Sequence, residues 1–527
     1  MRGFIALSLA CAAAAAPSFK YETIHDGAAP VISSSTAEEV PNSYIIKFKN
    51  HVTESSASDH HSWVQKIHGD REDERLELRK RGQIPLVGEV VDSFKGLKHT
   101  LKIGTDFLGY SGHFDDSVIE EVRRHPDVEF IEKDSIVHTL TEDEPDLEKN
   151  APWGLARISH RKQLSFGTYN KYLYAADGGE GVDVYVIDTG TNYEHVDFEG
   201  RAHWGKTIPT GDEDVDGNGH GTHCSGTIAG KKYGVAKKAN VYAVKVLRSN
   251  GSGSMSDVMK GVEWAAEQHL EQVAKAKKGS RKGFKGSTAN MSLGGGKSPS
   301  LDQAVNAAVT AGLHFAVAAG NDNADACKYS PAAAEKAITV GASALDDSRA
   351  YFSNWGKCVD IFGPGLSIQS TWIGSKTAIN TISGTSMASP HICGLTAYFL
   401  SLQPSKDSEY GMAEITPEKL KTNMVTIATK GALSDIPSDT PNLLAWNGGG
   451  YSNYSQIVQQ GGYVAEAPAK SMTIDELEKA IEHDFNVVSG TVVKGVSSLS
   501  GKAEELSNKI HEVVEEELRE FFEEIRA

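Results

Sequence analysis

Residues 383–394 read SGTSMASPHICG, with Ser383, Ser386 and Ser389 inside one short stretch. Serines in such segments ordinarily cap helices or face water. Ser386 has a distinct setting. Gly384 permits close backbone approach, and the apolar run after Ser386 reads as a helix with Pro390 in its first turn, where a missing N–H costs little. Ser386 therefore falls at a helix N-terminus, where the dipole and unpaired N–H groups favour developing negative charge. A hydroxyl there can serve as a nucleophile if a base takes its proton and a carboxylate orients that base. Two further segments offer those groups. DGNGHGTHCSGTIAG (216–230) carries His220, His223 and Cys224. Their i, i+3, i+4 spacing shares one helix face. A general base, a zinc site and plain packing all fit that pattern. VDVYVIDTG (182–190) is an apolar strand ending in Asp188. Catalytic groups gather at the carboxyl ends of parallel strands, although an aspartate there also makes turns and helix caps.

The elements that must position these groups follow from periodicity. Over 151–450 glycine becomes frequent, and apolar strands at 182–187, 241–246, 289–293, 314–318 and 337–340 alternate with helical segments such as 256–269 and 301–311. That alternation predicts a parallel sheet with helices on both faces. Residues 43–138 carry a different pattern, with strands at 44–48, 97–103, 108–114 and 128–131 and extended structure again at 136–137. A possible helix lies at 62–68, and a charge run at 71–81 reads as a solvated helix or loop. A second helix, capped by Asp115-Asp116, runs to Arg124 with Val118, Ile119 and Val122 on one face. A small α+β domain results. Residues 17–42 read as a polar linker, and the acidic stretch 139–150 as an exposed linker where proteolysis concentrates. The remainder, 451–527, reads as an acidic helical extension. It has amphipathic helices at 473–485 and 502–526, the second with Leu506, Ile510, Val514, Leu518, Phe521 and Ile525 aligned.

Composition narrows the function. The chain of 527 residues has a formal net charge of −17, which argues against nucleic acid or an anionic membrane as partner. Arg2, the short apolar run 4–9 and the small residues 11–16 have the layout of a secretory signal, so 1–16 is expected to be removed. No later stretch is apolar and long enough to span a bilayer. Five cysteines are too few for a disulfide-stapled fold.

IDTG, HGTHCSGT and SGTSMASPH, in that order, strongly resemble the subtilisin-like serine peptidases and, within them, the proteinase K group. The resemblance covers about 151–450. Residues 43–138, from YIIKF to EFIEKD, resemble the inhibitory propeptide of that family. The whole layout is most similar to fungal vacuolar serine peptidases. The implied fold is a subtilisin-like α/β parallel sheet with helices on both faces, preceded by the small α+β inhibitory domain. The implied function is a serine endopeptidase precursor of broad specificity, inhibited by its own propeptide, acting on proteins and peptides as a monomer. The vacuole is the implied destination and the extracellular space the alternative.

Carried over residue by residue, the resemblance makes Ser386 the nucleophile, His220 the base, Asp188 its orienter and Asn321 of AAGNDNADA an oxyanion donor, with His223 structural. Ser252, Gly253 and Ser254, together with Ser292, Leu293 and Gly294, would flank the substrate chain. Gly294 and Gly295 would leave one side of the first pocket open to bulky apolar residues. The resemblance also implies a Cys327–Cys358 disulfide and a free Cys224; Cys393 is read as a free core thiol. It requires no cofactor for the chemistry. A structural calcium is possible at Asp360 with carbonyls near Glu335 and Ala337, although one carboxylate is thin support for such an ion. Of the sequons at Asn250, Asn290 and Asn453, Asn290 falls in a core strand, and Asn453, in a Gly/Ser-rich loop, is the best glycan acceptor. Two rival readings remain at this stage: a catalytically silent peptidase-like binding module, and a metallohydrolase using His220, His223 and Cys224.

Overall fold

Strands buried on both faces set the architecture of the larger part of the chain. A computed structural model describes residues 19–22, 28–34, 39–80, 96–103, 107–135, 146–407 and 415–465, with the pairs 478–479, 518–519 and 522–523. The chain forms two units, Met1–Thr139 and Leu140–Ala527. The signal at 1–16 and the extended residues 136–137 lie outside the described residues.

The first unit is a six-stranded sheet in the order Phe19–Glu22, Val31–Ser34, Val128–Ser135, Glu39–Phe48, Phe107–His113, Gly96–Ile103. Glu39–Phe48 pairs antiparallel with both neighbours. Two helices, Glu54–Lys80 and Asp116–Arg123, complete the unit. Asp115 caps the second by accepting from Ser117 N, and Val118, Ile119 and Val122 are buried as their spacing predicts. The charge run is helical as far as Lys80, continuing the helix that starts at Glu54. The reading of 17–42 as a linker needs correction. Val31–Ser34 pairs parallel with Val128–Ser135 over Val31↔Ile131 and Ile32↔Glu132, and Phe19–Glu22 adds antiparallel to it. Each strand is only four residues long, too short for its pattern to stand out from the polar residues around it.

The second unit holds a ten-stranded sheet. Its order is Ala202–Thr207, Asn240–Lys245, Val182–Asp188, Gly286–Met291, His314–Ala318, Ile338–Ser343, Ile361–Pro364, Leu443–Leu444, Thr429–Lys430, Tyr463–Val464. Every pairing is parallel except Thr429–Lys430 with Leu443–Leu444. Side chains of Val182–Asp188 alternate between two cores. Val182, Val184 and Val186 pack with the helices His220–Ala229 and Thr385–Ser401, whereas Tyr185 and Ile187 pack with Met255–Lys277 and Pro299–Thr310. Burial on both faces explains why the strand reads as a continuous apolar run. The two strands that follow it in the chain lie on one side of it, and the next lies on the other. A crevice at the carboxyl ends is the consequence of such a reversal.

Two boundaries move. Asp146–Lys149, within the stretch read as a linker, pairs antiparallel with Lys171–Tyr174. At the other end the sheet continues beyond 450 to Tyr463–Val464, and Tyr454 and Ile457 of the helix Tyr454–Gln460 are buried in the main core. The predicted helix 473–485 lies outside the described residues except 478–479, which are helical. Of 502–526, the described residues 518–519 and 522–523 are helical, and Leu518 and Phe522 are buried against the main core.

Candidate active site

The helix Thr385–Ser401 is apolar almost all round, as a helix inside a core must be. Every residue of it is buried except Ser386. Ser389 is buried with its hydroxyl on Asn290 Oδ1 at 2.8 Å, and Ser383 Oγ accepts from Ser367 N at 2.8 Å. The helix starts at Thr385, so Pro390 falls inside it, in the second turn rather than the first. A proline there removes the N–H that would bond the carbonyl four residues back. That carbonyl belongs to Ser386. It accepts instead from Ser292 Oγ at 2.8 Å and Cys224 Sγ at 3.4 Å, which ties the serine to the neighbouring strand end and helix. The Ser386 hydroxyl donates to Ser292 O at 3.0 Å, and no hydrogen bond joins it to His220.

His220 opens the helix His220–Ala229, which follows Gly219 in a left-handed conformation (φ 100°). A Cβ on the next glycine, Gly221, would lie 2.1 Å from Gly190 O, so only glycine lets this helix start against the Asp188 loop. His220 Nδ1 meets Asp188 Oδ1 at 2.8 Å, and the same oxygen accepts from Thr189 N at 2.7 Å. Asp188 is fully buried. Burial presses His220 towards its neutral form, but Asp188, helped by Asp216, outweighs it and holds the ring pKa above the ordinary value. His223 points elsewhere. Its Nε2 bonds Ile368 O at 2.8 Å, and burial lowers its pKa to about 3. The set His220, His223 and Cys224 is therefore not assembled as a metal site. Asp188, His220 and Cys224 do converge within 4.8 Å. Burial, with Asp188 nearby, raises the Cys224 pKa well above the usual thiol value, and a protonated thiol is a poor metal ligand.

Sequence reasoning missed Asp216. Its Oδ1 accepts from Thr189 Oγ1, Asn218 N and Gly219 N, and its Oδ2 from Thr222 N and Oγ1. This one carboxylate folds the turn that delivers His220. Asp-Gly-Asn-Gly before a helix was the available signal, since aspartate there commonly bonds backbone N–H groups.

Asn321 follows the strand His314–Ala318. Its Oδ1 accepts from both Thr385 N and Thr385 Oγ1 at 2.8 Å, which fixes the amide with Nδ2 on its other side. Asn321 Nδ2 and Ser386 N each lie 3.5 Å from the position a Cβ on Gly384 would take. Two donors thus flank one point beside the serine. Next to His220 lies a cavity of about 440 Å³ lined by Ser252, Gly253, Ser292, Leu293 and Gly294, with Leu247, Met255, Val258 and Leu301 as apolar wall. Ser254 is not in that lining; its hydroxyl caps the helix Met255–Lys277 by accepting from Asp257 N. Ser252 spends its N–H on Asn250 Oδ1 and its carbonyl on Arg248 N.

Residues 179–443 match the profile of the subtilase family, and residues 43–140 match the peptidase inhibitor I9 family. The chain is 70% identical over 538 residues to the subtilisin-like proteinase Spm1 of Pyricularia oryzae, with all of both chains covered. It is 64% identical over 527 residues to the subtilisin-like serine protease Cla h 9.0101 of Davidiella tassiana, again with both covered in full. Alkaline protease 2 of Aspergillus fumigatus is 65% identical over 491 residues, 93% of this chain and 98% of that one. The chain is a subtilase. It is a serine protease carrying an amino-terminal I9 domain, hence a zymogen.

Other features of the subtilase unit can now be placed. Cys327 and Cys358 are disulfide-bonded, and Cys224 and Cys393 are free and buried. Asn453 caps the helix Tyr454–Gln460 through Oδ1 rather than lying in an open loop. Asn290 is fully buried, as its strand position predicts. The oxygens expected to hold calcium do converge, but on an ammonium. Lys421 Nζ donates to Glu335 O at 2.8 Å and Ala337 O at 2.7 Å and pairs with Asp360 Oδ2 at 2.8 Å. A cation already at their focus means that these residues do not fit a calcium ion. The chemistry of a subtilase needs no cofactor. Among the described residues no helix is long and apolar enough to cross a membrane.

Proposed function

We propose that Ser386, His220 and Asp188 form the catalytic triad of an endopeptidase of broad specificity. The observation that carries this is the bonded Asp188–His220 pair at the start of a helix whose Cys224 bonds the carbonyl of Ser386, the one unburied residue of an otherwise buried helix. With Nδ1 held by Asp188, His220 keeps Nε2 for proton transfer. The Ser386 hydroxyl rotates from Ser292 O to Nε2, a contact that need form only with substrate bound. Oγ attacks the peptide carbonyl carbon as its proton passes to Nε2, and the oxyanion is received by Asn321 Nδ2 and Ser386 N–H. Collapse breaks the C–N bond and returns the proton to the departing amine. Water, deprotonated by His220, then releases the acid from the acyl-enzyme.

The substrate chain lies as an added strand between Gly253 and Ser292–Gly294. Because Ser252 and Ser254 are engaged in their own loop and cap, Gly253 supplies the pairing edge on that side. The apolar wall of the cavity, with Met255 as a flexible member, favours apolar side chains in the first pocket. The I9 domain inhibits the subtilase unit intramolecularly until the chain is cut within 136–150, and the tail is trimmed afterwards. The protein enters the secretory pathway as a monomer, with the vacuole its destination and the extracellular space the alternative, and Asn453 is its glycan acceptor.

A fluorophosphonate probe tests the nucleophile. The matured enzyme should take up one equivalent on the peptide that contains Ser386, and Ser386→Ala should take up none. An adduct on another residue of active enzyme would overturn the assignment.

A further inference from the structure

Lys421 sits on the helix Pro417–Ile427, next to Leu420, and Leu420, Asn423, Met424 and Ile427 bury that helix in the core. Its ammonium reaches three oxygens from two distant stretches of chain: Glu335 O, Ala337 O and Asp360 Oδ2, all at 2.7–2.8 Å. An ammonium has three N–H donors, so each finds one acceptor. Asp360 is anchored in turn, its Oδ2 accepting from Thr339 N at 2.8 Å and its own N–H donating to Thr339 O at 2.9 Å. Two carbonyls and a carboxylate aimed at one point demand a positive charge there. A calcium ion would want six to eight oxygens, and three are offered.

We propose that Lys421 is a built-in cation that replaces a divalent ion at this site, so that the fold here is independent of calcium. The segment it clamps matters to the substrate cavity. Residues 331–337 run from Tyr329–Ser330, which pairs with Gly295–Gly296 beside Gly294, to the central strand Ile338–Ser343. The ammonium therefore fixes the stretch behind the rim of the first pocket without touching substrate. A chemically different ion is accepted only if the ammonium is removed and its space left open.

The test uses the full chain carrying Ser386→Ala, so that self-digestion does not intervene, with calcium counted by equilibrium dialysis and unfolding followed by calorimetry. Lys421→Ser should lower Tm on the order of 5 °C in chelator, bind one calcium ion more than its parent, and regain Tm as calcium is added. Lys421→Met fills the space without charge, so it should lose Tm similarly and bind no additional ion. In the parent, Asp360→Asn should leave calcium stoichiometry unchanged. The proposal is overturned if Asp360→Asn costs the parent a bound calcium, or if Lys421→Ser keeps the parent Tm and stoichiometry. Should Lys421→Ser fold only with calcium, the proposal stands; should it fail to fold at all, the Lys421→Met and Asp360→Asn measurements decide.

Discussion

The I9 unit and the subtilase unit handle histidine in opposite ways. In the I9 unit, His60 is buried among Phe48, Trp63, Tyr110 and His125, with Nε2 on Tyr110 Oη at 3.0 Å. Burial, then the neighbouring His125 and His61, lower its pKa to about 3 from 6.5. In the subtilase unit, Asp188 keeps His220 above 6.5 despite burial. One ring is kept neutral because no anion accompanies it closely; the other stays chargeable because one does. The stability consequences have opposite signs. His60 costs the fold nothing above 6.5, but below it the unfolded chain takes up a proton that the folded chain refuses, and stability falls until about pH 3. The Asp188–His220 pair contributes fully below 6.5 and loses its contribution as pH rises through the raised pKa. His223, His269, His314 and His391 are also lowered in the subtilase unit. By the same linkage each of them also costs the subtilase unit stability as pH falls below 6.5.

The comparison breaks most sharply if Asp188 is removed. Asp188→Ala leaves His220 in a position like that of His60. kcat should fall on the order of 10⁴-fold, a magnitude taken from subtilisin rather than from this geometry, and the acid limb of the residual pH–rate profile should move to lower pH. An unmoved limb would mean that Asp188 does not set the His220 pKa. Asn321→Ala, by contrast, leaves both histidines alone and should lower kcat on the order of 10²–10³-fold with KM little changed. A rise in KM alone would assign Asn321 to substrate binding.

A smaller effect sharpens the I9 side. Between pH 7 and 5, His60 should cost its unit about 2 kcal/mol. Hydrogen exchange on the Ser386→Ala precursor, corrected for intrinsic rates, should show Glu39–Phe48 and Val128–Ser135 losing protection as pH falls from 7 to 5. His60→Phe should reduce that loss. Equal acid sensitivity in the variant would remove His60 as its source.

The proposed triad is legible in the sequence because each member interrupts a periodic pattern. Asp188 ends an apolar strand, His220 follows the glycines of a helix start, and Ser386 precedes an apolar run. Each is a local signal carried by neighbours in sequence. What stayed hidden is non-local. Nothing around Lys421 in the segment PEKLKTN points to carbonyls more than eighty positions earlier. Asp216 has no evident role in the sequence until five donors are found on it. The two-residue strands Thr429–Lys430, Leu443–Leu444 and Tyr463–Val464 are too short to show a period, and the four-residue strands Phe19–Glu22 and Val31–Ser34 barely show one. The sequence alone puts Pro390 in the first helical turn, because a proline deeper in a helix ordinarily costs a hydrogen bond. Here Ser292 Oγ supplies the missing partner, from ninety-four positions away in the chain.

The central claim is that Ser386 is the nucleophile and that the precursor matures itself. Wild type and Ser386→Ala precursors, refolded separately with no other protease present, would be followed by intact mass. The account predicts that the wild type sheds its amino-terminal residues through a cut within 136–150 while Ser386→Ala keeps its full mass. Equal cleavage of both chains would contradict it.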